Sequence, residues 1–360
     1  MSDGPPAGPR GAEGPRRLTY ASEPFEDRTV TLRSKTSIRA GARAPSATGR
    51  RRGVMAGVAI ALAFCAVAPT VSTAVSHPAC FGAASRNPVH PCRNPKLERM
   101  VVPTPSDALI EPNSPCRPVQ APISVCAIGG SAAKPNRTVA LVGDSHAAHW
   151  RAALGVAAHR LGWSALSVTH GSCPFTQGVS VAPEPKRTEC IDWNQGVLDW
   201  FRAHPEVSTM LISDHPGHVI RKPGQSNMQA WVAGITAGWA ALPATVEHII
   251  VIRDVPFIDP GTLPCIDRAI AKRRDAGRAC AVPVRRALHR DPDVVAAKQV
   301  HSRRVQIVDM THFFCDSRRC YPVVGGALVF FDDFDHITRA FGTTLGPFLG
   351  SRIKGLMASW

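Results

Sequence analysis

Two short stretches, far apart in the chain, hold the residue types that acyl chemistry needs. Gly143-Asp144-Ser145-His146 follows an apolar run at 138–142, and Asp332-Asp333-Phe334-Asp335-His336 lies near the C-terminus. A serine hydroxyl becomes a useful nucleophile when a neutral histidine takes its proton and a carboxylate steadies that histidine. In a turn or first helical turn, residues three apart face the same way, so Asp333 is placed to hold one ring nitrogen of His336 while the other faces Ser145. The three acids also favour the imidazolium that forms once the proton is taken. Each half has an ordinary alternative. A Gly-Asp-Ser turn often does no more than cap the next helix, and the acid run could be a solvated turn or a calcium loop. Calcium loops intersperse glycine and asparagine with the acids, whereas Phe330, Phe331 and Phe334 accompany this run. His146 and His149 stand three apart on a helix, but a third and fourth metal ligand are not evident. No metal and no cofactor is therefore expected, and His149 is read as a packed or hydrogen-bonded side chain.

Positioning these residues takes a sheet. Short apolar, β-branched runs at 138–142, 164–168, 208–213, 248–253 and 305–308 are separated by longer helical patterns, the first at 147–161. Continuous apolar strands between helices imply parallel strands buried on both faces. A short hairpin arm is expected at 327–331 and a closing helix at 338–356. The fold class is accordingly α/β, a three-layer, flavodoxin-like unit with a mostly parallel sheet over residues 135–360. In such sheets the working groups lie at the carboxyl ends of the strands. The first strand ends at Gly143, which puts Ser145 at that rim beside first-turn N–H groups able to stabilise an oxyanion.

The remainder of the chain sets the compartment. Forty-two Lys+Arg against 27 Asp+Glu give a net charge of +15, which suits an anionic partner such as nucleic acid, acidic glycan or lipid head groups. Residues 1–52 carry eleven of the basic residues and five acids without apolar periodicity, and read as a disordered basic cytoplasmic arm. Residues 53–76 contain no charge and follow Arg50-Arg51-Arg52 directly. That run is long enough to cross the hydrocarbon core as one membrane-spanning helix, with the arginines on the cytoplasmic side. It reads as an uncleaved signal-anchor, and a cleavable signal ending near Ser72-Thr73-Ala74 is the competitor. With a mean hydropathy of -0.05, the chain is too polar for a channel or many-pass transporter.

Cysteine usage agrees with an exported C-terminal part. Cys65 lies inside the apolar run, and the other ten follow it. As sequential neighbours they pair Cys80 with Cys92, Cys116 with Cys126, Cys173 with Cys190, Cys265 with Cys280, and Cys315 with Cys320; an oxidising compartment is expected. The lack of any C-x-x-C spacing argues against zinc ribbons and thioredoxin-like chemistry. Residues 77–134, rich in Pro, Ser, Asn and Cys, read as a disulfide-clipped spacer. The basic run at 271–278 reads as a solvated face rather than a glycan or lipid site. Nucleic acid is not an expected partner of an outward-facing domain whose chain has only two tyrosines and no recognition motif.

Several blocks, taken in order, resemble the SGNH (GDSL-like) hydrolase superfamily. They are Leu141-Val142-Gly143-Asp144-Ser145-His146, then Gly171-Ser172-Cys173-Pro174 with Cys190 and Trp193, then Asp254-Val255-Pro256, then Cys315 and Cys320, and last Asp333-Phe334-Asp335-His336-Ile337-Thr338 with Phe341-Gly342. More closely they are similar to the SGNH domain at the C-terminus of acyltransferase 3 family membrane proteins, which O-acylate cell-surface carbohydrate. The resemblance spans about residues 135–350. It implies Ser145 as nucleophile, His336 as general base and then acid, and Asp333 as its orienter. An acyl-serine intermediate would pass to a sugar hydroxyl or to water. Ser145 N–H, helped by Gly171, would form the oxyanion hole, with Asp144, His146 and Asp214 lining the pocket.

Two departures from the family stand out. Free-standing members usually carry an asparagine in a third block that completes the oxyanion hole, and here that place holds Ser213-Asp214-His215-Pro216-Gly217-His218. Acyltransferase 3 proteins also carry many membrane helices that bring the acyl group outward, whereas this chain has one apolar segment long enough to span. The expected function is extracytoplasmic transfer of an O-acyl, most simply acetyl, group to cell-surface carbohydrate. Its partners are an acylated donor, a carbohydrate acceptor, the membrane, and a membrane acyltransferase if one supplies the donor. An esterase of the same mechanism and a non-catalytic glycan-binding scaffold are the alternatives.

Overall fold

The computed structural model describes residues 77–90, 92–110, 116, 118–120, 123–129, 135–332 and 335–360. The basic arm at 1–52, the apolar segment at 53–76 and Asp333 lie outside them. Among the described residues no helix is long and apolar enough to cross a membrane.

A seven-stranded sheet organises the chain. Its strands are β1 (Pro118–Gln120), β2 (Val125–Ala127), β3 (Thr138–Gly143), β4 (Ser164–Thr169), β5 (Val207–Ile212), β6 (His248–Ile252) and β7 (Val305–Val308), in the order β1-β2-β4-β3-β5-β6-β7. The five strands from β3 to β7 are parallel, in keeping with their mostly apolar sequences, and the two short edge strands are antiparallel. Successive residues of one strand feed opposite cores. Val139 and Leu141 face one side, with Leu211, Ile250 and Ile252. Ala140 and Val142 face the other, with Met210, Ile212, Ile249 and Val251.

Helices cover both faces. Helix α1 (Ser145–Ala148) and α2 (Arg151–Leu161) follow β3. The helix expected at 147–161 is thus two pieces that start earlier, because at Trp150 the backbone bond shortens to Ala147 O (2.9 Å) before the regular ladder resumes from Leu154 to Trp150 O. Helices α3 (Lys186–Ala203), α4 (Asn227–Ala241) and α6 (Pro292–Val300) pack on the Ala140 face. Helix α5 (Thr262–Ala271) lies outside the two main layers and packs in a small separate cluster. Helix α7 (Arg339–Met357), capped by the Thr338 hydroxyl on Phe341 N–H, packs with α2 on the Val139 face. The arm expected at 327–331 contributes only the two-residue strand Ala327–Leu328, paired with Val323–Val324.

The stretch read as a spacer contributes to this body. Phe81, Ala83 and Leu97 are buried in the Val139-face core, and β2 pairs with β4. All five disulfides join the cysteines paired above as sequential neighbours.

Candidate active site

The parallel strands deliver their carboxyl ends to one rim, so the residues that follow them meet there. At the end of β3 the chain turns at Gly143, whose φ is +135°. A Cβ at that position would strike Ser213 O and sit 2.7 Å from the Asp214 carboxylate, so only glycine passes. Asp144 then caps α1. Its Oδ1 accepts His146 N–H (2.7 Å), and its Oδ2 accepts His215 N–H (3.0 Å) and meets His218 Nε2 (2.7 Å). Burial pushes the Asp144 carboxyl up, but the His218 bond and the surrounding histidines outweigh it and hold the group well below the usual range. Ser145 is left half-buried in the first turn of α1, where backbone N–H groups have no intrahelical acceptor.

His336 arrives from the opposite end of the chain on a tightly tied loop. Phe331 N–H donates to His336 O (3.0 Å), Thr338 N–H to Val329 O (2.7 Å), and the Thr338 hydroxyl to Leu328 O (2.6 Å). Asp332 holds the histidine twice, through its backbone N–H (3.1 Å) and through Nδ1 (2.7 Å). With the Nδ1 proton on Asp332, Nε2 is the basic nitrogen of the neutral ring. Burial lowers the His336 pKa, but the Asp332 bond and charge, with Asp144 and Asp254 behind it, raise it above the ordinary histidine value. The His336 ring centroid lies 5.0 Å from that of His146, the residue after Ser145, and 6.1 Å from that of His149. The two halves of the expected nucleophile–base pair therefore meet at one rim. Asp333, expected as the orienter, is outside the described residues, and the carboxylate seen on His336 is that of Asp332.

The other candidate residues lie around this pair in different ways. His146 is buried, with Nδ1 2.7 Å from the Asp254 carboxylate at the end of β6. Burial and the neighbouring Asp291 push the Asp254 carboxyl well above the usual range. Asp214 braces the floor: it accepts Asp144 N–H and Phe175 N–H, each at 3.0 Å, and its own N–H donates to Asp293 (3.1 Å). Burial beside Asp293 and Asp144 raises its pKa well above the usual range. Gly171 is exposed in the turn after β4, which His170 N–H ties to Gly143 O (3.1 Å).

Among the described residues, His146, His149 and Asp254 offer donor atoms within 4.8 Å of one another, a set that could hold a cation. Asp254 is the third group that helical spacing left unfound. Here its Oδ1 is spent on His146 Nδ1, which accounts for the contact as a buried carboxylate–histidine pair.

Sequence reasoning gave no separate role to Asp332, which stands in the acid run quoted with His336, or to His218, and it did not find Asp293. Spacing does not single them out: Asp332 and His218 lie in loops, and Asp293 lies in the first turn of α6 and reaches Asp214 N–H from there.

The class the fold defines is a three-layer α/β domain with a mostly parallel sheet, whose strand ends bring the Ser145 turn and the His336 loop to one rim. The family model described as "SGNH domain (fused to AT3 domains)" matches residues 112–350, and the chain belongs to that family. No curated protein matches the chain. Among solved structures it is similar to the periplasmic domain of a lipopolysaccharide acetyltransferase of Salmonella ser. Paratyphi A, at 14% identity and a TM-score of 0.49, covering 61% of this chain and 85% of that one.

Proposed function

We propose that this protein is an extracytoplasmic serine enzyme that moves an O-acyl group, acetyl in the simplest case, from a donor ester to a hydroxyl of cell-surface carbohydrate. The observation that carries the reading is the meeting of the Ser145 turn with the Asp332-held His336 at the carboxyl rim of the sheet. Membership of a family of domains fused to AT3 domains supports acyl handling, and five disulfides support an oxidising compartment.

In this mechanism His336 Nε2 takes the Ser145 hydroxyl proton as Oγ attacks the donor carbonyl carbon. The tetrahedral oxyanion collapses, the donor alkoxide leaves with the proton from His336, and an acyl-serine remains. An acceptor hydroxyl then loses its proton to His336 and attacks that ester, which regenerates Ser145. Water in place of the sugar gives hydrolysis by the same steps, so the acceptor decides between transferase and esterase.

The test uses the full 360-residue chain with its disulfides verified, a chromogenic acetyl ester, and glycan acceptors present or absent. Ser145→Ala is expected to abolish release, and acetylated glycan that depends on Ser145 would establish transfer. Release without any acylated glycan makes the protein an esterase. Equal rates for wild type and Ser145→Ala refute serine catalysis and leave a binding or scaffolding role.

A further inference from the structure

The sheet ends in an open edge. β7 is last in the strand order and pairs only with β6, so its outer side bonds to no strand. A cavity flanks it on each face. The larger, about 900 Å³, lies between the end of β7, the loop at 311–317 and the last turns of α7. The smaller, about 430 Å³, lies along α6 and begins at Arg253, the residue after β6. Arg253 lines the smaller and Asp309 the larger, and the two side chains meet at 3.7 Å, so this pair stands between the cavities. Asp254, the next residue after Arg253, holds His146 beside Ser145, which puts the edge cavities and the candidate site on one stretch of chain.

The acids that line the cavities are already engaged. Asp291 is buried and gives both oxygens to backbone N–H groups, those of Asp254 and Val294. Asp316 accepts Arg318 N–H, Arg319 N–H and the Tyr321 hydroxyl. Asp309 accepts Thr311 N–H (2.9 Å) and faces Arg253. The cations are not engaged in the same way. The Arg253 guanidinium is 24% exposed, and its pair with Asp309 is too long for a hydrogen bond, so its N–H groups have no acceptor among the described residues. Arg290 and Lys298 in the smaller cavity and Arg352 in the larger are exposed and make neither an ion pair nor a hydrogen bond with any described residue. Arg304, by contrast, spends its guanidinium on Val246 O, Trp239 O and Pro243 O. Unspent cations converging on a concave surface fit carboxylate or phosphate groups. In the larger cavity the hydroxyls of Thr311 and Ser317, beside apolar Ile307 and Leu356, fit the hydroxyls and C–H faces of sugar rings.

We propose that the two cavities form one exosite for an extended anionic polysaccharide, whose carboxylate or phosphate groups are held by Arg253, Arg290, Lys298 and Arg352 while another residue of the same polymer reaches Ser145. This rests on the acceptor reading above and narrows it to a charged polymer. A single small anion fills one cavity, whereas a polymer that crosses the β7 edge at Asp309 fills both.

The experiment uses the full 360-residue chain carrying Ser145→Ala, so that binding is read without turnover. Titration calorimetry at low and high ionic strength compares polygalacturonate oligomers, poly(glycerol phosphate), neutral dextran and galacturonic acid as the single sugar. One anionic polymer is expected to bind, less tightly at high salt, and dextran and the single sugar are expected not to; the polymer that binds names the anion. Arg352→Gln in the larger cavity and Arg290→Gln/Lys298→Gln in the smaller are each expected to weaken that binding about five- to tenfold. Arg273→Gln/Arg274→Gln, which removes charge from the exposed loop at 272–278, is expected to stay within about twofold. Melting curves verify folding of every variant. Failure of both anionic polymers to bind, equal binding of dextran, an affinity within about twofold of the parent for either cavity variant, or an equal loss from the loop variant overturns the exosite. Binding as expected, from a chain whose Ser145 form releases no more acetyl than Ser145→Ala, refutes the serine enzyme and leaves the exosite as a glycan-binding function.

Discussion

At the scale of single residues, the proposed base is the group whose setting makes the sharpest demand. In the proposed mechanism His336 works as a base when neutral, so the rate is expected to rise with pH through its pKa, which its surroundings hold above the ordinary histidine value. Asp332 is the largest upward influence, Asp144 and Asp254 add to it, and burial opposes them. In Asp332→Asn the opposing burial remains while the largest support is lost. The midpoint of the kcat–pH profile is therefore expected to move to lower pH. The plateau should fall as well, by up to about 10⁴-fold, the size associated with losing the orienting aspartate of a triad. An unmoved midpoint would show that Asp332 does not set the protonation of His336. The histidine itself was legible in the sequence, because an acid-rich run ahead of a helix singles it out. Which acid serves it was not. Asp335 has a φ of +67° and turns its carboxylate onto Ile258 N–H (2.6 Å), so the run is not helical and residue spacing does not say what faces the ring.

At the scale of elements, the rim is held by carboxylates reaching between strand ends and by the close seating of one helix. Asp214, Asp291 and Asp293 each accept a backbone N–H of another segment, Asp291 that of Asp254, so loops after different strands share one buried frame. Helix α7, which starts three residues after His336, is drawn against α2 by Gly342, Gly346 and Gly350. A Cβ at Gly346 would meet Val156 and come within 2.8 Å of Ala153 O, whereas one at Gly355 on the same helix would meet nothing within 4 Å. Alanine favours a helix over glycine by about 1 kcal/mol, but overpacking costs about 1–3 kcal/mol. Gly346→Ala is therefore expected to lower the unfolding free energy, and Gly355→Ala to raise it or leave it level. Denaturant titration of both variants decides the matter, and equal shifts would mean that α7 can move off α2 freely. The parallel strands were legible because burial on both faces leaves short runs dominated by apolar, β-branched residues between the helical patterns. The edge strands β1 and β2 were not. Three residues carry no period, and their pairing comes from the neighbour they join.

At the scale of the whole molecule, the disulfides and the N-terminal segment are tied to one measurable count. The five bridges close separations of 12, 10, 17, 15 and 5 residues. Pairing neighbours in order found them because each staples a local turn rather than joining distant elements. The bridge from Cys173 to Cys190 binds the turn after β4 to α3, and that from Cys265 to Cys280 closes the loop bearing the exposed Lys272, Arg273, Arg274 and Arg278. Eleven cysteines less these ten leave Cys65, which lies in the apolar segment at 53–76. A signal cleaved near Ser72-Thr73-Ala74 removes that thiol, whereas an uncleaved anchor keeps it. Protein recovered from the membrane fraction of an exporting host, denatured without reductant, is therefore expected to titrate one thiol per chain and to retain the mass of the N-terminal arm. A count of zero with the mass of the C-terminal part alone would make the mature enzyme unanchored. A count of two or more would mean that a bridge had failed to form, and with it the oxidising compartment that the local pairing of these cysteines implies.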